Sequence, residues 1–180
     1  MYKKLLLITC SVFYAINIFA QGFSVTDSGS AIEFKIKNFG ITVDGSFKGL
    51  KGNIIFDTKN TATAIFNLSV DAATVNTGIN SRDNHLRKED YFDVTKFPVI
   101  SFGSVRVTST GKEGQFNVNG NITIKGVTKN ISFPFTVVSK QAGYLFTGSF
   151  TLNRRDFGVG SSSLILSDNL DVSFSINATK

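Results

Sequence analysis

The side chains with the widest chemical range stand together in residues 76–93, NTGINSRDNHLRKEDYFD, where Arg82, Asp83, His85, Arg87 and Asp90 fall within nine positions. Such a set admits three chemistries. A histidine beside a carboxylate can act as a general acid or base. With a serine it can serve a nucleophilic mechanism, and with two carboxylates it can begin a metal site. His85 is the only histidine, however, and the single cysteine, Cys10, lies in the first 20 residues. The chain has no HExxH, no serine in a GxSxG elbow, and no glycine-rich run leading into Lys-Ser or Lys-Thr. These residues read more simply as a charged lid held by capping and ion pairs. No catalytic residue and no metal ligand set is assigned. Arg82, Asp83, His85 and Phe92 remain as candidate lid or head-group contacts.

The elements around this segment follow a different rule. Residues 76–93 lack alternation, and Asn80 followed three positions later by Asp83 predicts the cap of a short helix. Leu86, Tyr91 and Phe92 would anchor it, and Phe97-Pro98 would end it before the next strand. Almost everywhere else apolar and polar residues alternate. Phe116, Val118, Gly120, Ile122, Ile124 and Gly126 share one face, against Asn117, Asn119, Asn121, Thr123 and Lys125. The same period appears in Ile32/Phe34/Ile36, Phe66/Leu68/Val70, Ile131/Phe133/Phe135/Val137, Phe146/Gly148/Phe150/Leu152 and Leu170/Val172/Phe174/Ile176. This is the pattern of half-buried antiparallel strands. With strands near 53–57 and 99–107 the count is about eight, and short connections such as 110–114 favour an up-and-down meander. Residues 38–49 interrupt the pattern and predict a turn in which Phe39, Val43 and Phe47 pack across a barrel end.

Eight strands with one apolar face each hide those faces together by closing into a barrel, which also removes exposed edges. The predicted fold is all-β, an eight-stranded antiparallel lipocalin-like barrel with a short helical lid segment. A membrane barrel would carry its apolar faces outward. The charge-rich lid, the ending Ile176-Asn177-Ala178-Thr179-Lys180 and the shortness of several strands argue for the inward arrangement. A barrel of this size is plugged by side chains or holds one slender ligand. Gly120, Gly126 and Gly148 on apolar faces, and many phenylalanines without tryptophan, suggest room inside. The lining expected for a ligand is Phe34, Ile36, Phe66, Leu68, Phe102, Ile122, Ile124, Phe133, Phe135, Phe146, Gly148, Phe150 and Phe174. No charge falls on these stripes, so the contents should be hydrocarbon, with any polar head near a mouth. The competing readings are an enzyme working at the lid through His85 and a filled-core interaction barrel.

Lys3 and Lys4, the mostly apolar run from Leu5 to Phe19, and Ala20 have the layout of a cleaved secretory signal peptide. Residues 1–20 are therefore expected to be removed near Ala20, leaving 21–180 as a single domain in the periplasm or outside the cell. Leu7-Ile8-Thr9-Cys10 fits a lipidation site poorly. The remaining chain would have no cysteine, so its stability must come from its core. The net charge of +6 falls to +4 without the two lysines. The basic residues are scattered, which gives nucleic acid no footprint.

Several motifs in order resemble the YceI-like family. They are Asn76-Thr77-Gly78, Arg82-Asp83-Asn84-His85-Leu86-Arg87, Asp90-Tyr91-Phe92-Asp93, Lys96-Phe97-Pro98, Ser101-Phe102 with Ser104, the run from Gly120 to Lys129, and Arg155-Asp156-Phe157-Gly158. The resemblance covers roughly residues 30–177. It implies a periplasmic or secreted lipocalin-like barrel that binds polyisoprenoid lipids, isoprenoid quinones among them, in an apolar tunnel. It implies no cofactor beyond such a bound lipid. The partners it names are a long-chain isoprenoid and a transient contact with a membrane or with quinone-using membrane proteins; a second copy of the chain is a separate candidate partner that the resemblance does not supply. Members often carry a histidine where this chain has Asn38, in Lys37-Asn38-Phe39-Gly40. That departure bears on head-group preference and leaves the tail unaffected.

Overall fold

The computed structural model describes residues 22–180. The leader sequence expected in residues 1–20, with Cys10, lies outside the described residues. Nine strands and one short helix follow in order: β1 (Phe23–Val25), β2 (Ala31–Asn38), β3 (Ile41–Ile55), β4 (Ile65–Asn76), α1 (Asn80–Leu86), β5 (Val99–Ser109), β6 (Gln115–Ile124), β7 (Val127–Lys140), β8 (Gly143–Asn153) and β9 (Leu166–Thr179).

From β2 to β9 each strand pairs antiparallel with the next, and β2 pairs with β9 to close the ring. The ring has eight staves. The ninth strand adds no stave, because β1 continues the line of β2: Phe23 to Val25 face Ile54 to Gly52 of β3, and Val25 faces Ala178 of β9. Asp27, in the turn between them, accepts the N–H groups of Gly49 and Leu50, each at 2.9 Å. The apolar faces point inward, with Phe34, Phe66, Phe116, Phe133, Phe135 and Phe146 buried, while their polar neighbours Glu33, Lys35, Asn67 and Asn117 are exposed. A lipid-facing barrel requires the opposite order.

Two segments differ from the sequence expectation. Residues 38–49 form no packed turn. Phe39 and Gly40, at φ 52° and 73°, make a two-residue hairpin turn of the type that matches strand twist, and β3 begins at once. The alternation is hidden because Gly45 takes an inward position and Gly49, at φ 75°, adds a bulge that shifts the parity. Gly126 likewise leaves the apolar face: with Lys125 it forms the β6–β7 turn, at φ 75° and 49°, against the ring of Phe97.

The two ends are unlike. At one end lie the connections 56–64, 110–114 and 141–142. At the other lie the β2–β3 and β6–β7 turns, residues 77–98 carrying α1, and the long connection from β8 to β9; this is the lid end.

Candidate functional site

The lid is held by its own polar groups. Helix α1 starts after Ile79, which makes no side-chain cap, so Asn80 is not the capping residue expected. Asp83 takes over: its buried carboxylate reaches back to accept the backbone N–H and the hydroxyl of Thr77. Arg82 donates to the same hydroxyl and to the Thr77 carbonyl, at 2.7 and 2.8 Å. Arg87 donates to the carbonyls of Ala73 and Val75 at 2.6 and 3.0 Å, groups that β5 does not reach because β4 pairs with it only over residues 67–71. These charges satisfy exposed and half-buried backbone groups that the strand ladder leaves without partners.

His85 and Asp90 make the one acid–base pair of the lid, Nε2 to Oδ2 at 2.8 Å, both side chains more than half exposed. The hydrogen bond from His85 holds the Asp90 carboxyl below the usual carboxylate range. The imidazole edge rests on Tyr91, centroids 4.9 Å apart. This pair faces water. Arg82, Asp83 and His85, the candidate head-group contacts, do not border the interior; Phe92 alone of that set does. Among the described residues no group of three or more His, Cys, Asp or Glu side chains converges on a metal position.

A second polar knot lies where β8 meets β9, and the sequence reading passed over it. Arg154 is buried and makes five hydrogen bonds, to the carbonyls of Ser167, Val159, Ser161 and Leu166 and to the Asp168 carboxylate at 2.8 Å. It shapes the connection so that Phe157 and Val159 enter the core beside Tyr91 and Phe92. Gly160 then donates its N–H to the Asp90 carbonyl at 2.9 Å, and Lys125 donates to the Gly158 carbonyl at 2.8 Å. Three connections at the lid end are thereby tied together.

Beneath this lid lies an internal cavity of about 180 Å³. Apolar cavities of this size stay dry and accept hydrocarbon. Phe34, Phe66, Leu68, Phe102, Ile122, Ile124, Phe133, Phe135, Phe146, Phe150 and Phe174 line it, as does Phe92 from above. Ile32, Phe47, Leu50, Val70, Ile100, Val118, Leu152, Leu170, Val172 and Ile176 complete the apolar wall. Most of these stand on the alternating stripes of the sequence; Phe47 was concealed by the parity shift at Gly49. Phe133 and Phe150 stack at 4.4 Å, and Phe174 and Phe102 each stand 5.7 Å from Phe133.

Two expected lining residues do not line the cavity. Ile36, one pleat closer to the lid end than Phe34, packs against the core without bordering the space. Gly148 is covered by an aromatic ring: a Cβ there would stand 2.6 Å from Phe174 and 3.0 Å from the Pro134 carbonyl. Gly120 under Phe102 and Gly45 under Phe34 are occupied in the same way. The glycines are seats for rings of the neighbouring strand, which lie against the wall, and the cavity is what the seated rings leave open. Among the described residues one buried side-chain polar atom lacks a partner, Oδ1 of Asn38, on the same strand face as Phe34 and at the hairpin end of β2.

Comparison with known proteins supports a family assignment. The UPF0312 protein of Pseudomonas aeruginosa is 31% identical over 158 residues, covering 83% of this chain and 82% of its own. BcnA of Burkholderia cenocepacia superposes with a TM-score of 0.80 at 25% identity, over 84% of this chain and 98% of that one. A polyisoprenoid binding domain from Saccharophagus degradans shares the fold at a TM-score of 0.71 and 17% identity, over 87% of this chain and 97% of its own. The YceI-like domain itself matches residues 23–178, the barrel from β1 to the end of β9, and the chain belongs to the YceI-like family.

Proposed function

We propose that this protein is an exported lipid-binding protein of the periplasm or cell exterior, which holds the tail of a long isoprenoid, isoprenoid quinones included, for carriage, storage or a stress response. One observation carries the reading: a closed barrel that holds, below its lid end, an apolar cavity walled by phenylalanine and aliphatic side chains. An unpaired polar ligand would find no partner in that depth, whereas a hydrocarbon gains from each methylene it buries there. The name of the Saccharophagus degradans relative gives isoprenoids as the class for that protein, and the shared fold extends the suggestion to this one. The bound lipid is the only small molecule the reading requires. No catalytic step enters it, since the His85–Asp90 pair stands in water away from the cavity.

The head group belongs at the lid end. Asn38 Oδ1, at the hairpin end of β2 and outside the cavity lining, is a buried acceptor without a donor among the described residues, which marks this end as the polar one. Exchange with a membrane, or with a quinone-using membrane protein, also belongs there. Phe39, Ile41, Ile79, Val99, Val127, Leu164 and Ile165, seven of the ten exposed large apolar residues among the described residues, stand at or next to the lid-end connections. A second copy of the chain is the competing occupant of that rim, and light scattering separates the two.

Mass spectrometry of an organic extract from protein purified from its own source tests the proposal. A long isoprenoid in stoichiometric amount is expected. Protein that is free of lipid and also fails to take up added isoprenoids refutes it.

A further inference from the structure

The cavity has a floor. Phe66, Phe135 and Phe146 border it from three strands, with ring centroids 5.5, 5.3 and 6.2 Å apart. Behind them stands Phe56, buried and outside the lining, at 6.0, 6.3 and 5.3 Å from those three rings. Phe116 and Tyr144 back Phe56 in turn, at 5.2 and 5.6 Å. A tail entering from the lid end meets aromatic layers packed mostly edge to face, an arrangement favoured beyond its buried area. Interiors packed this densely do not open for an extra methylene without strain.

We infer that Phe66, Phe135 and Phe146, held in place by Phe56, set the longest isoprenoid tail the protein encloses; the inference rests on the lipid-carrier reading. Every unit that fits above the floor is buried. The first unit beyond it has nowhere to go but back toward the lid and water. Truncating one floor ring opens about the bulk of one isoprene unit, less whatever the neighbours reclaim by relaxing.

The test uses protein purified from its own source, stripped of lipid, and loaded with a fluorescent polyene that farnesol, geranylgeraniol and longer all-trans prenols compete away. Wild-type affinity is expected to climb with length and then stop at one member of the series. Phe66→Ala, and the gentler Phe135→Leu, move that stop to a longer prenol. The first prenol beyond the wild-type limit gains roughly tenfold, while farnesol binds as before. Phe92→Ala, at the lid end, weakens all lengths alike and leaves the stop in place. A wild-type affinity that climbs without a stop, or a stop unmoved in a folded floor variant, overturns the floor assignment and leaves the carrier reading intact. If Phe66→Ala does not fold, Phe135→Leu and the wild-type series each still decide the matter. A wild-type protein from which no prenol displaces the polyene overturns both.

Discussion

The same residue type does opposite work at the two ends of this barrel. At the closed end phenylalanines meet one another across the lumen. Phe56 stands within 6.3 Å of five aromatic rings, those of Phe66, Phe116, Phe135, Tyr144 and Phe146, and is itself buried. Toward the lid end Phe34, Phe102 and Phe174 lie over Gly45, Gly120 and Gly148 on the next strand. Their rings are drawn to the wall and the lumen stays open. Composition cannot distinguish these cases, since both ends are rich in phenylalanine. What differs is the partner beneath each ring. Closure differs too: aromatic packing seals one end, and hydrogen-bonded loops seal the other.

Changes that exchange the properties of the two ends should separate the roles, and the largest effect is expected at the plug. Phe56→Ala should cost about 3–5 kcal/mol, the usual loss for a buried phenylalanine, against about 1–2 kcal/mol for Phe92→Ala at the half-buried lid. Urea unfolding of both variants measures the difference, and equal losses would mean the ends are not distinct.

Arg154 should come next. Arg154→Ala leaves four carbonyls without this donor and the Asp168 carboxylate with only Arg155, at 3.9 Å; breaking a buried ion pair costs about 3–5 kcal/mol, less here because Asp168 is partly exposed and keeps Arg155. Hydrogen exchange should show lost protection in residues 154–168 and in the lid, with the plug unchanged.

Gly148→Ala is smaller and more specific. The new methyl group displaces Phe174, at about 1–3 kcal/mol for overpacking. Because that ring can move only toward the lumen, the variant should hold less lipid per molecule than its stability loss explains, as extraction and quantitation would show.

The smallest effect concerns acid. The amides of Leu50 and Gly49 hold the Asp27 carboxyl below its ordinary range. Its folded pKa lies below the unfolded one, so its stabilisation is complete above the unfolded value of about 3.9. It is lost as the pH falls through the lowered value. Asp27→Asn should flatten that acid limb of the stability curve and leave lipid uptake unchanged.

Much of the barrel was legible because a pleated strand with one buried face writes a period of two into the chain, as residues 116–124 do without a break. The period fails where one residue shifts parity. Gly49 does this in β3, so the alternation of a long strand is broken and imitates a turn. The lining was legible to the same extent, since inward positions in a small barrel face the lumen or the core. What a lone chain does not write is the cross-strand neighbour. Gly148 looked like a gap because the ring that fills it comes from Phe174, 26 positions later and paired only through the β8–β9 register. Arg154 was missed for a related reason: its partners are mostly carbonyls, which carry no residue type to recognise.

A prenol carrying a photoreactive group at the end of its tail tests the central claim most directly. After irradiation of the loaded protein and peptide mapping, adducts are expected on the wall and floor of the lid-end cavity, at Phe133, Phe150, Phe174 or Phe66. Adducts confined to the outer face of the barrel, or to Phe116 and Tyr144 behind the plug, would contradict a tail held between the lid and the aromatic floor.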